Sequence, residues 1–417
     1  MIRTLKQGTW RLGNLRRAAG TPIAVTDLPD PHDGVRVCVV GPGTHFLSAM
    51  TYYTYGLITA LSTRQHVSAI LIRRLIPARL YPGRQRIGAA LSKLTLPADV
   101  RAVATVDWYW GPGIVRALIL LRRRRTEVLL LQWWTGSVLH TYLVLALAAR
   151  LFGASVIVEF HEVLDTAEDK LFWVRRYVNA VAPILFRMAD AFVVHNQHDR
   201  DLVVGRYGLR SERIVMIQYP SFDPHGGAAV RQPREGPCRL LFFGTVRPYK
   251  GVEDLVVAFE RLLGEPGEQF ELTIVGETWE GWTLPDRLID ASTVRDRIHR
   301  VDRYVTDAEA AAHFAEADVV VLPYRRCSSS GNLGTAMALG LPVVTTRVGG
   351  LPEATAGYPG VVLAEAADPD SLREAIVTAA GWRGRQFVGT VSWQDSAAHY
   401  ADLFAALRRP PLHLPRA

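Results

Sequence analysis

A chain of 417 residues, 49% hydrophobic and 21% charged, has the length for two ordinary domains and the balance of a globular protein, which excludes a disordered or fibrous chain. Its three cysteines, Cys38, Cys238 and Cys327, are far apart and lack metal-ligand spacing, so each reads as a small buried apolar group in a reducing, cytoplasmic setting. The net charge of +8 is uneven: residues 1–237 carry 30 Lys+Arg against 17 Asp+Glu, or +13, and the remainder carries 18 against 23, or −5.

Residues 1–33 are a basic, poorly patterned lead-in without the continuous apolar run of a signal peptide. A first domain is expected over 34–222. It opens on the strand Val35–Val40, which ends in Gly41-Pro-Gly43-Thr-His-Phe46, with Phe46 where a dinucleotide fingerprint has its third glycine. Gly41 and Gly43 either make a tight turn or let the backbone approach a diphosphate. Between Gly34 and Ala98 there are eight basic residues and no acidic one. That run is either a solvated surface or a face toward anionic lipid or a phosphate-bearing substrate. No reading helix, ribbon or aromatic platform accompanies it, so nucleic acid is not an expected partner.

The strand Val128–Gln132 leads to Trp133 and Trp134, which line an acceptor groove by stacking on a sugar or belong to the core. The apolar stretch from Val138 to Phe160 is broken by His140, Arg150, Gly153 and Glu159, and divides into a helix and a strand rather than a membrane span. The strand Ser155–Phe160 sets His161, Glu162 and Asp165 at its end, where the sites of α/β sheets sit. Glu162 and Asp165 orient an acceptor or serve as caps. Further strands are expected at Phe192–His195 and Ile214–Gln218, then a Gly/Pro/Arg/Gln-rich linker over 223–237.

In the second domain, 238–392, strands are expected at Leu240–Phe243, Glu271–Val275, Asp318–Leu322 and Val343–Thr345. Continuous apolar strands alternating with helices give parallel sheets covered on both faces, hence two Rossmann-like α/β domains facing a cleft. Thr306-Asp-Ala-Glu309 is a capping box opening a helix. Residues 393–417 are a terminal helix and tail, expected to pack back on the first domain.

Two motifs carry chemistry. Leu240-Leu-Phe-Phe-Gly-Thr-Val-Arg-Pro-Tyr-Lys-Gly251 ends a buried strand at Gly244, places Arg247 and Lys250 on a loop, and opens an amphipathic helix at Gly251. A guanidinium fork, a compact ammonium and a helix N-terminus together suit a diphosphate. The second motif runs Val-Val-Val-Leu-Pro-Tyr-Arg-Arg-Cys-Ser-Ser-Ser-Gly-Asn-Leu-Gly-Thr from Val319 to Thr335. Its Ser328–Gly331 loop is a polar surface loop or an anion contact, in which Ser329, Ser330 and Gly331 offer hydroxyls and closely approaching backbone N–H groups.

On these elements the chain resembles the retaining glycosyltransferases of family 4, of GT-B architecture, over roughly Val35 to Leu407. The strand–Gly–loop–Lys–Gly element matches Gly244 to Gly251, the Ala-x-Gly-x-Pro-Val-Val element matches Ala338 to Val344, and the Gly-Gly-x-x-Glu element matches Gly349, Gly350 and Glu353. The resemblance implies that Lys250 holds the donor phosphates, that His161 reaches the donor sugar, and that the base docks near Tyr304 and Val305. Arg247 is offset from the family's usual Arg position, which is Thr245 here. The family's pair of Glu residues separated by seven is replaced by Cys327 and Thr335. The Ser328–Gly331 loop then takes over those contacts, the donor is bound differently, or the activity is lost.

The expected reaction is transfer of a sugar, of hexosyl type, from a nucleoside-diphosphate-sugar to a hydroxyl with retention, in polysaccharide, glycolipid or glycoconjugate synthesis. No Asp-x-Asp metal site appears in a suitable loop, so neither a metal nor a cofactor is expected. The basic first domain suggests a lipid-linked or membrane-surface acceptor and a peripheral place at the inner face of the cell membrane. A nucleotide-sugar epimerase of the same build and a non-catalytic sugar-binding subunit are the alternatives.

Overall fold

The computed structural model describes residues 34–45, 47–75, 92–163, 172–221, 235–263, 269–279, 281–389 and 391–408. The lead-in 1–33, most of the linker and the end of the tail lie outside them.

Seven strands form the first sheet: β1 (Arg36–Pro42), β2 (His66–Arg74), β3 (Arg101–Asp107), β4 (Val128–Trp133), β5 (Ser155–Phe160), β6 (Ala191–Val194) and β7 (Ile214–Met216). Six form the second: β8 (Cys238–Phe243), β9 (Phe270–Val275), β10 (Ile298–Val301), β11 (Val319–Leu322), β12 (Val343–Thr346) and β13 (Val361–Ala364). Strand order is β3-β2-β1-β4-β5-β6-β7 in one and β10-β9-β8-β11-β12-β13 in the other, and every pairing is parallel. This is the doubly wound α/β architecture expected from the alternation of apolar runs and helices.

The central strands explain why the pattern was visible. Residues 37–40, 128–131 and 156–158 are fully buried, as both faces of a parallel sheet demand. Four strands lacked that signature in the expectation. Three of them, β3, β10 and β13, are sheet edges, half-exposed and therefore less apolar. The fourth, β2, is buried but flanked by arginines.

In each sheet the winding direction reverses once, between β1 and β4 and between β8 and β11. Loops leaving adjacent strands in opposite directions open a crevice there. The Arg247–Gly251 loop follows β8 and the Ser328–Gly331 loop follows β11, so both chemical motifs meet at the switch point of the second sheet.

The helix Trp393–Leu407 returns to the first sheet. Ser392 and Asp395 cap it reciprocally. Its Tyr400, Leu403 and Phe404 are fully buried in a cluster with Val37, Val39, Tyr53 and Leu57. Each such side chain stabilises the docking by roughly 1.5–3 kcal/mol. Ser396 donates to the Gln218 carbonyl at 3.3 Å and Ser155 donates to that of Leu407 at 2.7 Å, fixing both ends. Close approach to the helix Ala49–Ser62 is possible because Gly56 has no side chain: a Cβ there would stand 2.3 Å from Trp393 Cζ2.

Gly56→Ala should therefore loosen the terminal helix, cost roughly 1–3 kcal/mol and lower the thermal midpoint by several degrees. Gly205→Ala, at a helical site with nothing within 4 Å, should be neutral or mildly stabilising. Equal midpoints for the two variants in a thermal melt would contradict the close packing at Gly56.

Candidate functional site

The carboxyl ends of the two sheets line a common open cleft with a cavity volume of about 510 Å³. On the second-domain side, β8 ends at Phe243, and the chain runs through Gly244, Thr245 and Arg247 into a single turn, Pro248–Lys250. Gly251 closes that turn with φ +64°, and a Cβ would lie 2.0 Å from the Pro323 carbonyl oxygen, so only glycine fits.

The turn aims Lys250 across Tyr324, with Nζ 3.7 Å from the ring centroid and 5.2 Å from that of Tyr249. Arg247 Cζ lies 5.0 Å from the Tyr249 centroid and 5.5 Å from that of Trp279. Arg326, just past β11, places Cζ 5.6 Å from Tyr249 as well. Three cations thus surround one ring. Ring faces attract them, but the three charges repel one another, and an anion in their midst would relieve that repulsion. Burial by itself would lower the Lys250 pKa, but Tyr324 and Tyr249 outweigh it and hold the ammonium above the usual lysine range. Arg325 faces the other way: its fork takes Asp254 at 2.7 and 2.8 Å and Glu253 at 2.7 Å, locking the start of the helix Val252–Leu263.

Ser330 caps the helix Gly331–Ala338, and Asn332 Nδ2 donates to the Phe243 carbonyl at 2.6 Å, seating that helix start beside the end of β8. Ser329, Ser330, Gly331, Thr335 and Tyr304 all line the cleft. The Thr335 hydroxyl donates to the Gly331 carbonyl at 3.1 Å within its own helix. Burial pushes the Cys327 thiol up to about 12. Neither residue supplies a charged acceptor at neutral pH.

The first-domain wall holds His161, Glu162 and Trp134. The His161 side chain is only 2% exposed, and its nitrogens face inward. Nδ1 lies 3.3 Å from His195 Nε2, and Nε2 lies 3.3 Å from Glu159 Oε1, a close contact whose angle falls short of a hydrogen bond. His195 Nδ1 sits 2.9 Å from the Ile217 carbonyl, which only an N–H satisfies, so His195 Nε2 presents a lone pair to His161. Glu159 is fully buried and accepts from Tyr53 at 2.7 Å, from Tyr400 on the terminal helix, and from Gln132 at 3.2 Å. Burial alone would raise its pKa; His161 and the Tyr400 hydroxyl reverse that and hold it down at about 2. Among the described residues, Glu159, His161 and His195 are the one group with a metal site's composition. Their hydrogen-bond partners fit a proton-ordered network.

Three expected contacts change. Gly41 does not reach the cleft: it is wedged inside, where a Cβ would lie 2.2 Å from Gln132 Oε1 and 2.7 Å from Thr54 Oγ1. Gly43 is buried and donates its N–H to the Ile72 carbonyl at 2.9 Å, which makes it a strand-end turn. Trp133 is 3% exposed and packs on Tyr142, Phe160 and Phe186, so it is core and Trp134 alone faces the cleft. Asp165 lies outside the described residues.

Arg326, Tyr249 and Tyr324 complete the cationic site without having been anticipated. The Arg-Arg pair closing β11 was their one sequence signal. The domains also touch directly: Asn196 Nδ2 donates to the Ser328 carbonyl at 2.9 Å, and the Gln197 N–H donates to Glu353 at 2.6 Å. Glu353 thereby caps the helix Gln197–Tyr207 of the other domain, in keeping with the preference of helix starts for carboxylates.

Two family models match: "Glycosyl transferases group 1" over residues 237–381 and "Glycosyl transferase 4-like domain" over residues 48–220. The chain is 29% identical over 323 residues to a glycogen synthase of Mycobacterium tuberculosis, covering 72% of this chain and 75% of that protein. In fold it is similar to the catalytic domain of starch synthase IV from Arabidopsis thaliana bound to ADP and acarbose, with TM-score 0.63, 12% identity, and 90% of this chain and 99% of that one covered. An Anabaena protein in complex with UDP gives TM-score 0.56 at 15% identity, covering 90% and 97%.

The histidine network predicts an acid-labile fold. Burial, aided by the charge of His161, lowers the His195 pKa from 6.5 to about 4. A depressed histidine pKa stabilises the fold fully above the unfolded value near 6.5, and that contribution is lost as pH falls toward 4. The loss is on the order of 3 kcal/mol. Melts between pH 7 and 4 should show it, and His195→Gln should flatten that slope; an unchanged slope in the variant would place the acid sensitivity elsewhere.

Proposed function

We propose that this chain, which belongs to the group 1 glycosyltransferases, transfers its sugar with retention of anomeric configuration, without a metal, to a hydroxyl on a membrane-borne acceptor. Its transferase class and its nucleotide-sugar donor follow from the two family models and the architecture. The observation that carries the chemistry is the convergence of Arg247, Lys250 and Arg326 around Tyr249, beside the start of the helix Gly331–Ala338.

These cations hold the donor diphosphate and stabilise the charge that grows on it as the bond between the anomeric carbon and the phosphate oxygen breaks. The acceptor oxygen bonds to the same face of that carbon, and its proton passes to the departing phosphate oxygen. Of the two carboxylates lining the cleft among the described residues, Glu277 accepts from Trp279 Nε1 at 3.0 Å. Glu162 lies on the cleft wall with Trp134, where it orients the incoming hydroxyl. His161 acts through the wall it shapes, since its nitrogens face Glu159 and His195. Tyr304 and the Ser328–Gly331 loop contact the nucleoside and phosphates.

Lys250→Ala should cut kcat with the correct donor by roughly 10²–10³-fold while the circular dichroism spectrum is retained. A folded variant with full activity would remove the phosphate assignment. Chelator should leave the wild-type rate unchanged, and proton NMR of the product should show the donor's anomeric configuration; inversion would refute the same-face step.

A further inference from the structure

Among the described residues, the large apolar side chains that stay exposed are concentrated in the first domain: ten of the thirteen fall between Tyr109 and Ile184. Most of them sit on three neighbouring helices, Gly113–Arg123, Leu139–Leu151 and Phe172–Met188, the middle one packed against both others. Val115 and Ile119 point outward one turn apart on the first, and Leu147 and Leu151 do the same on the second. On the third, Trp173 is 77% exposed beside exposed Phe172. Soluble surfaces rarely gather such groups without a partner.

Charge identifies the partner. The three helices contain no Asp or Glu, and they and the two residues after the first carry nine arginines. Arg116, Arg122–Arg125, Arg175, Arg176 and Arg187 are exposed, and Arg150 is bound to Asp190 at 2.8 Å. A second copy docking by a twofold would set arginine against arginine, which self-association disfavours. Aromatic and aliphatic groups among arginines, with no acid on the helices themselves, match an interface of anionic headgroups over acyl chains. None of the helices is long and apolar enough to cross a membrane, so the match is to lying on the surface.

We propose that these helices form one docking face for an anionic lipid bilayer. The proposal rests on the reading of the acceptor as membrane-borne and gives it a place. A small pocket lined by Trp134, Glu162, Val174 and Arg175 joins the Phe172–Met188 helix to the cleft, and Trp134 and Glu162 line both. The face thereby borders the side of the cleft on which the acceptor is proposed to sit.

The test is co-sedimentation of the full chain with vesicles of phosphatidylcholine alone or with about one third phosphatidylglycerol. Binding should be at least roughly tenfold stronger to the anionic vesicles and weaken as salt rises from 0.05 to about 0.5 M. Leu151→Ser with Trp173→Ser, and separately Arg122→Glu with Arg123→Glu, should each reduce it about tenfold or more and leave transfer to a water-soluble acceptor unchanged. Equal binding to both vesicle types, insensitivity to both pairs of substitutions, or a concentration-dependent dimer that the same substitutions abolish would overturn the docking face. Lys250→Ala should still sediment with vesicles, so a failure of the phosphate assignment and a failure of the docking face leave different results.

Discussion

Glu159 is an ionised carboxylate with no exposed surface, and the arrangement of the first domain follows from how that charge is satisfied. An isolated buried carboxylate would cost several kcal/mol or take up a proton. Here the hydroxyls of Tyr53 and Tyr400 and the amide of Gln132 converge on it, while His161 and His195 border it. These partners come from the helix Ala49–Ser62, the terminal helix, β4, and the ends of β5 and β6. An apolar residue at 159 would leave two phenols and an amide without their acceptor, so the cluster holds together as a unit. Its consequence for the site is geometric. The terminal helix, entered from the second domain, is pinned to the first, and the chain joins the two domains twice, once on each passage. The cleft wall at His161 is set by that same anchor.

The opposite wall shows the reverse economy. There the chain gathers Arg247, Lys250 and Arg326 around Tyr249, with the adjacent carboxylates Glu253 and Asp254 already engaged by Arg325. Ring faces soften the repulsion without neutralising it. In the proposed reading, a site that gathers three cations favours a dianionic group over a neutral sugar. It also gains most when negative charge grows, which is the moment the diphosphate departs. The fold holds this arrangement with backbone: Gly251 beneath the Pro323 carbonyl and Asn332 clamped to the end of β8 leave the loop little room to move.

The sequence disclosed what is local. Strands buried on both faces are continuous apolar runs, and the loops at Arg247–Gly251 and Ser328–Gly331 advertise themselves by cations and small residues next to such runs. Edge strands such as β3 and β10 are hidden because exposure dilutes the pattern. At Gly41 and Trp133 the sequence leaves an inner turn or a cleft contact, and core or groove, open for a related reason. A glycine at a strand end and an aromatic at a strand end have the same local signature whether they face a cleft or the core. Only the neighbours, Gln132 and Thr54 for one and Phe186 for the other, decide it. The Glu159 cluster was out of reach altogether, since its hydroxyl donors lie 106 and 241 residues away along the chain.

The replacement of the expected acidic pair by Cys327 and Thr335 gains a physical meaning from these positions. The thiol is buried and neutral, and the threonine hydroxyl, which donates to the Gly331 carbonyl, carries no charge, so neither supplies the negative charge of a carboxylate. In the proposed reading the positive field is left to the diphosphate, and nucleoside recognition falls to groups around Tyr304 and the serine loop. On that reading, affinity in this cleft is shifted from the ribose toward the phosphates, the part of the donor whose charge increases during transfer.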